Sequence, residues 1–192
     1  MKKTNIIFVF MAIVGIAAII ISCNTDSNDV AANPPHDPVE HGAYLVQTMG
    51  CNDCHSPKIF GPMGPMPDTS RLLSGHPSDI LPGSIDTNVL KHWVLFGHMT
   101  TIAAGPWGVS FSANITSDST GIGTWTFEQF KTAMTKGKSR GLENNRPLMP
   151  PMPWQNYVNI HEEDLKDIFA YLKSTNPVHN VVPAWIAPGT AK

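Results

Sequence analysis

Cys51-Asn52-Asp53-Cys54-His55 decides how the rest of this chain is read. A Cys-x-x-Cys-His run is the sequence mark of covalent c-type haem attachment. Two thiols add across the vinyl groups of a porphyrin, and the imidazole that follows is held close enough to the iron to serve as proximal ligand. A redox-active Cys-x-x-Cys is the first alternative, but that reading wants a βαβ pattern nearby, and none follows Cys54. A zinc ribbon is the second, and it requires another cysteine pair that the sequence lacks. Cys51 and Cys54 are therefore the expected attachment points of one haem c per chain, with His55 as an iron ligand.

Outward from that run, bulk composition sets limits. The 192 residues carry a net charge of -2, with basic residues few and scattered, so no surface of the kind that neutralises phosphates is expected. Nucleic acid is excluded as a partner on that ground. Seventeen prolines and fifteen glycines make much of the chain loop, which suits a small domain whose core is completed by a flat cofactor.

The third cysteine, Cys23, closes the N-terminal apolar run. Residues 1–22 have the layout of a secretory signal: Lys2 and Lys3, an apolar stretch from Ile6 to Ile21, then Ser22. The stretch is about sixteen residues, short for a membrane span. Ile20-Ile21-Ser22-Cys23 resembles a bacterial lipobox, which implies lipidation of Cys23 and attachment to a membrane facing the periplasm. An uncleaved N-terminal anchor is the other reading and places the domain on the same face. Each cysteine then has a covalent partner that is not another cysteine, and no structural disulfide is expected. Residues 23–38 are rich in Asn, Asp, Ser, Ala and Pro and read as a flexible tether.

The domain proper is expected over 39–183, with 184–192 as a tail. Asp37 and Pro38 are cap and first position of a helix that ends near Gly50, and Gly42 on it allows a second helix to approach closely. Prolines between Ser56 and Pro82 exclude a long helix or a central strand there. A carbonyl in that loop, near Pro57, is expected to accept a bond from the free imidazole N–H of His55. Residues 86–96 predict a short helix, and Met99–Ala104 with Val109–Asn114 a small β-hairpin. Thr126 and Gln129 have capping-box spacing at the head of a helix that Gly137 stops. Glu162 to Ser174 has acidic residues in its first turn and Leu165, Ile168, Phe169 and Leu172 as its apolar stripe, although His161 is a poor N-cap residue.

A haem held by His55 leaves one coordination position for a thioether, an imidazole or nothing. Prolines 147, 150, 151 and 153 restrict the backbone around Met149 and Met152, so a methionine here can be held toward an iron without regular secondary structure. His76 and His98 are the imidazole rivals.

Several stretches resemble the monohaem domains of the class I-like c-type cytochrome family, in particular the cytochrome subunits that accompany periplasmic dehydrogenases. They are Gly42-Ala43-Tyr44-Leu45-Val46 before the haem run, Asn114-Ile115-Thr116, Thr120-Gly121-Ile122-Gly123-Thr124-Trp125-Thr126, Met152-Pro153-Trp154, and Glu163-Asp164-Leu165 running into Ala170-Tyr171-Leu172. The resemblance implies a mainly α fold around one covalent haem, a crossing of the first and last helices with Gly42 near Tyr171, and Met152 rather than Met149 as the distal ligand. The function expected is single-electron transfer between redox partner proteins, a dehydrogenase, oxidase or other cytochrome, and not catalysis. Two alternatives accompany it: a haem enzyme or gas sensor with an open sixth position, and an internal relay subunit of a dehydrogenase or oxidase complex.

Overall fold

The computed structural model describes residues 36–189. The signal, Cys23 and most of the tether lie outside the described residues. From Asp37 onward the chain forms one unit.

Helix α1 runs Pro38–Thr48. Asp37 caps it through Oδ1, which accepts from the Val39 amide at 2.8 Å, and Pro38 occupies the first turn, where its missing N–H costs nothing. Gly50 ends the turn with φ of +71°, a conformation that favours glycine, and the chain passes straight into the single turn α2, Cys51–His55. Helix α3, Phe127–Lys136, opens with the expected reciprocal capping box between Thr126 and Gln129. The longest helix among the described residues, α4, spans Glu162–Ser174, and His161 makes no side-chain capping bond.

Helices α1 and α4 cross at Gly42. A Cβ added there would lie 2.0 Å from the Asp167 carbonyl oxygen and 2.8 Å from the Tyr171 Cβ, so only glycine admits this approach. The crossing buries Val46 against a core that Phe130 and Met134 of α3 and Leu165, Ile168 and Leu172 of α4 also fill. Each such fully buried aliphatic side chain contributes about 2 kcal/mol. The predicted stripe of α4 thus faces inward, with Phe169 half-buried against the rings of Phe127 and Phe130.

The fold holds more strand than a mainly α reading expects. Among the described residues there are four helices and five short antiparallel strands. Strands β1 (Lys58–Gly61) and β2 (Gly64–Pro67) form a hairpin directly after the haem run. Pro65 and Pro67 are tolerated because β2 has a neighbour on one side only. Strands β3 (Leu95–Phe96), β4 (Ile102–Gly105) and β5 (Gly108–Phe111) make a second sheet in that order. The β4–β5 pair is the expected hairpin, each strand three residues shorter at the open end and one residue longer at the turn, with Gly105 opposite Gly108. Residues 86–96 are not the predicted helix: one 3-10 turn at Val89–Lys91 leads into β3. Of the apolar side chains on which that expectation rested, Val89, Trp93 and Val94 are exposed and Leu90 is only half-buried, so burial gives a helix there little to stand on. Past α4, Ile186 pairs with Val109 through two backbone bonds, laying the tail along β5.

Candidate haem-binding site

One turn of helix sets Cys51, Cys54 and His55 side by side. Lys58 closes that turn: its ammonium donates to the carbonyls of Asn52, Asp53 and Ser56 at 3.1, 3.0 and 2.6 Å, satisfying oxygens that a helix end leaves orphaned. Ser56, fully buried, braces the turn from below, donating to the Asn52 side chain at 2.8 Å and accepting from the Leu73 amide.

Both cysteines are half-buried free thiols. Burial pushes the Cys51 thiol up to about 11 and raises that of Cys54 as well, with the neighbouring Asp53 charge adding to both. A dithiol redox centre has its reactive thiol's pKa lowered by its surroundings, whereas these surroundings raise both. They suit thioether formation, which leaves no charge to solvate. Burial likewise lowers the pKa of His55, favouring the neutral imidazole that ligates metals. Its Nδ1 donates to the Ala113 carbonyl at 2.8 Å, which leaves Nε2 as the donor atom for an iron. An open cavity of about 390 Å³ adjoins Cys54, bordered by Asp53, Lys58, Phe96 and Thr100. Free thiols one turn apart and a neutral, oriented imidazole beside them fit a covalently held haem.

The acceptor for His55 is not the one expected near Pro57. The Pro57 carbonyl accepts instead from the Asp68 amide at 2.8 Å, because the β1–β2 hairpin brings the two together. Ala113 takes the role from 58 residues away, just past β5.

The proline-rich segment is pinned along its length. Leu148 N donates to Gly137 O at 2.6 Å, and the Ser110 hydroxyl donates to Pro150 O at 2.6 Å, ahead of a cis bond between Pro150 and Pro151. The Trp154 ring lies against Gly137, where a Cβ would come within 2.3 Å of it. Met152, half-buried, packs on the same core cluster as Cys51, whereas Met149 is not among the residues packed there. Tyr157 joins that cluster too, and its phenol pKa is raised by burial and then by proximity to Cys51 and Cys54. Sequence reasoning missed Tyr157, since nothing local distinguishes it from a core aromatic.

His76 does not fit as a ligand. It is buried with both ring nitrogens engaged, Nδ1 with the Thr101 hydroxyl at 2.8 Å and Nε2 with the Ile80 carbonyl at 2.7 Å. His98 is exposed and tilts against the Phe60 ring at 5.7 Å.

The family model described as Cytochrome c matches residues 39–176. Over 80 residues the chain is 42% identical to a subunit of the nicotinate dehydrogenase of Pseudomonas putida, covering 41% of this chain and 6% of that protein. It is 36% identical over 81 residues to the gluconate 2-dehydrogenase cytochrome c subunit of Pantoea cypripedii, covering 42% of this chain and 17% of the relative. Identity to the fructose dehydrogenase cytochrome subunit of Gluconobacter japonicus is 38% over 71 residues, covering 36% and 14%. The matched region thus spans less than a fifth of each of these relatives.

Proposed function

This chain belongs to the cytochrome c family, and from that premise we propose that it carries single electrons through one haem c bound by Cys51 and Cys54 and ligated by His55 and Met152. The haem supplies a one-electron Fe(III)/Fe(II) couple, and no substrate bond is made or broken. What the chain's own residues do is keep that centre from rearranging. Lys58 and Ser56 lock the one-turn helix that bears the thioethers. The Ala113 carbonyl sets the tautomer and plane of the His55 imidazole and raises its basicity. The segment 147–154, fastened to α3 and β5, holds the backbone of Met152 in place with its side chain against the core. Small reorganisation between oxidation states is the consequence.

The observation that carries this reading is that Cys51 and Met152, about a hundred residues apart, pack on one apolar cluster while His55 is oriented through its Nδ1. The relatives named as dehydrogenase cytochrome subunits support a dehydrogenase as electron donor. On this proposal the chain is an electron-transfer subunit or shuttle for such an enzyme, tethered at the periplasmic face of a membrane by lipidated Cys23. Whole-cell fractionation and mass analysis of the mature N-terminus test the tether.

A redox titration followed by visible spectra tests the centre. One reversible one-electron wave with a low-spin spectrum in both states, and one haem per chain by alkaline pyridine assay, is the expected result. Rapid carbon monoxide binding to the reduced protein would instead favour an open-site enzyme or sensor.

A further inference from the structure

We propose that Asn180 is a positioning residue for the proximal imidazole, acting through the backbone that holds His55; the inference rests on His55 being an axial ligand of haem c. His55 is gripped at two points. Its carbonyl accepts from the Gly75 amide at 2.7 Å, and its Nδ1 donates to the Ala113 carbonyl at 2.8 Å. The two holders belong to neighbouring segments that are themselves bonded together, His76 N to Ser112 O at 2.9 Å and Ile115 N to Leu73 O at 2.9 Å. Gly75, at φ of +78°, lies so close that a Cβ on it would stand 2.5 Å from the Ala113 carbonyl carbon. Residues 73–76 and 112–115 therefore move as a unit, and whatever fixes one fixes the distance from Ala113 O to the ring.

Asn180 fixes it. The side chain is buried, and its Nδ2 donates to Ser74 O at 2.7 Å and to His76 O at 2.9 Å, the carbonyls on either side of Gly75. Its Oδ1 accepts from the Ser78 amide at 3.0 Å. Its own backbone is held in turn: Asn180 N donates to the Thr120 hydroxyl at 3.0 Å, and Asn114, the residue next to Ala113, donates from Nδ2 to Val178 O at 2.8 Å. The Asn180 amide thus ties the segment after α4 to residues 74–76, and the Asn114 amide ties that same segment to the other side of the clasp. Asn180 also lies beyond residue 176, where the family match ends, so the device belongs to the segment of this chain that follows the matched region.

The chemical consequence has a sign. A carbonyl held close to Nδ1–H makes the imidazole a stronger donor, which favours the ferric state. Without the Asn180 amide, the Ser74 and His76 carbonyls lose these donors inside a buried segment, the clasp relaxes, and Ala113 O draws away from the ring. The midpoint potential then rises.

The test uses the full-length holoprotein with Asn180→Ala, Asn180→Ser and, as a control, Thr175→Val. Thr175→Val removes the Thr175 hydroxyl that accepts from Ser117 N, loosening the start of the segment after α4 without touching residues 74–76. Two quantities are read: the midpoint potential, and by NMR of the reduced protein the solvent-exchange rate of the His55 Nδ1 proton. Asn180→Ala should raise the potential and speed exchange about tenfold, because both bonds that hold the Ser74 and His76 carbonyls are lost. Asn180→Ser, which keeps one donor, should fall between, and it carries the test if the alanine variant does not mature. Thr175→Val should lower stability and move neither quantity. An unchanged potential and exchange rate in the Asn180 variants, or an equal shift in Thr175→Val, overturns the proposal. If wild type itself shows no ligated His55, the reading of the haem site fails and takes the proposal with it.

Discussion

His55 and Ala113, 58 positions apart, meet through a 2.8 Å hydrogen bond from Nδ1 to the backbone carbonyl. The contact exists because Gly75, whose amide donates to the His55 carbonyl, lets the segment bearing Ala113 lie directly against it. Gly75→Ala combines a positive φ with a 2.5 Å clash against backbone, which cannot swing aside. The expected result is a loss of about 2–4 kcal/mol by denaturant unfolding, with a potential shifted upward in whatever holoprotein is recovered. Wild-type stability in this variant would mean that the two segments are not in contact.

Gly42 offers a test of the helix crossing alone. Gly42→Ala puts a methyl 2.0 Å from the Asp167 carbonyl and forces α1 and α4 apart. Unfolding in urea should show a loss of about 2 kcal/mol or more, with the absorption spectrum of the haem unaltered.

His76 and the iron are separate matters in this structure. Replacing His76 with alanine removes two buried hydrogen bonds and should cost about 1–3 kcal/mol, while the ferric and ferrous spectra stay those of the wild type. Conversion to a high-spin spectrum would make His76 a ligand after all.

At the opposite end of α4, Glu162 is paired with Lys131 and, at 2.9 Å, with Lys166, and these partners hold its carboxyl at about 2 against an ordinary 4.5. Because the folded pKa is depressed, the stabilisation is present above about pH 4.5 and is lost as pH falls through about 2. The group is exposed, so the effect is small and screened by salt. Stability of Glu162→Gln relative to wild type should show a small deficit at neutral pH and low salt that closes on acidification. A deficit that persists at pH 2 would assign it to packing instead.

Local signals were readable in the sequence wherever the chain's own neighbours determine the outcome. The caps at Asp37 and Thr126, the stop at Gly137, the turn between β4 and β5 and the stripe of α4 all depend on residues within a few positions of one another. Gly42 was legible for the same reason, as a missing side chain on an apolar face. The partner of His55 was not, because the Pro57 carbonyl is consumed by a hairpin whose pairing joins Lys58 to Pro67, and the replacement comes from far along the chain. Residues 86–96 misled because Val89, Trp93 and Val94 read as part of a helix face yet remain exposed. Tyr157 and Asn180 act through contacts at long range, and no spacing rule reaches them.

Met152 is the residue on which the electron-carrier account depends. The most direct measurement is the ferric absorption spectrum of Met152→Ala, with Met149→Ala beside it. The account predicts that Met152→Ala loses the far-red methionine–iron charge-transfer band and that its reduced form binds carbon monoxide readily, while Met149→Ala keeps the wild-type spectrum. Retention of that band in Met152→Ala would contradict it.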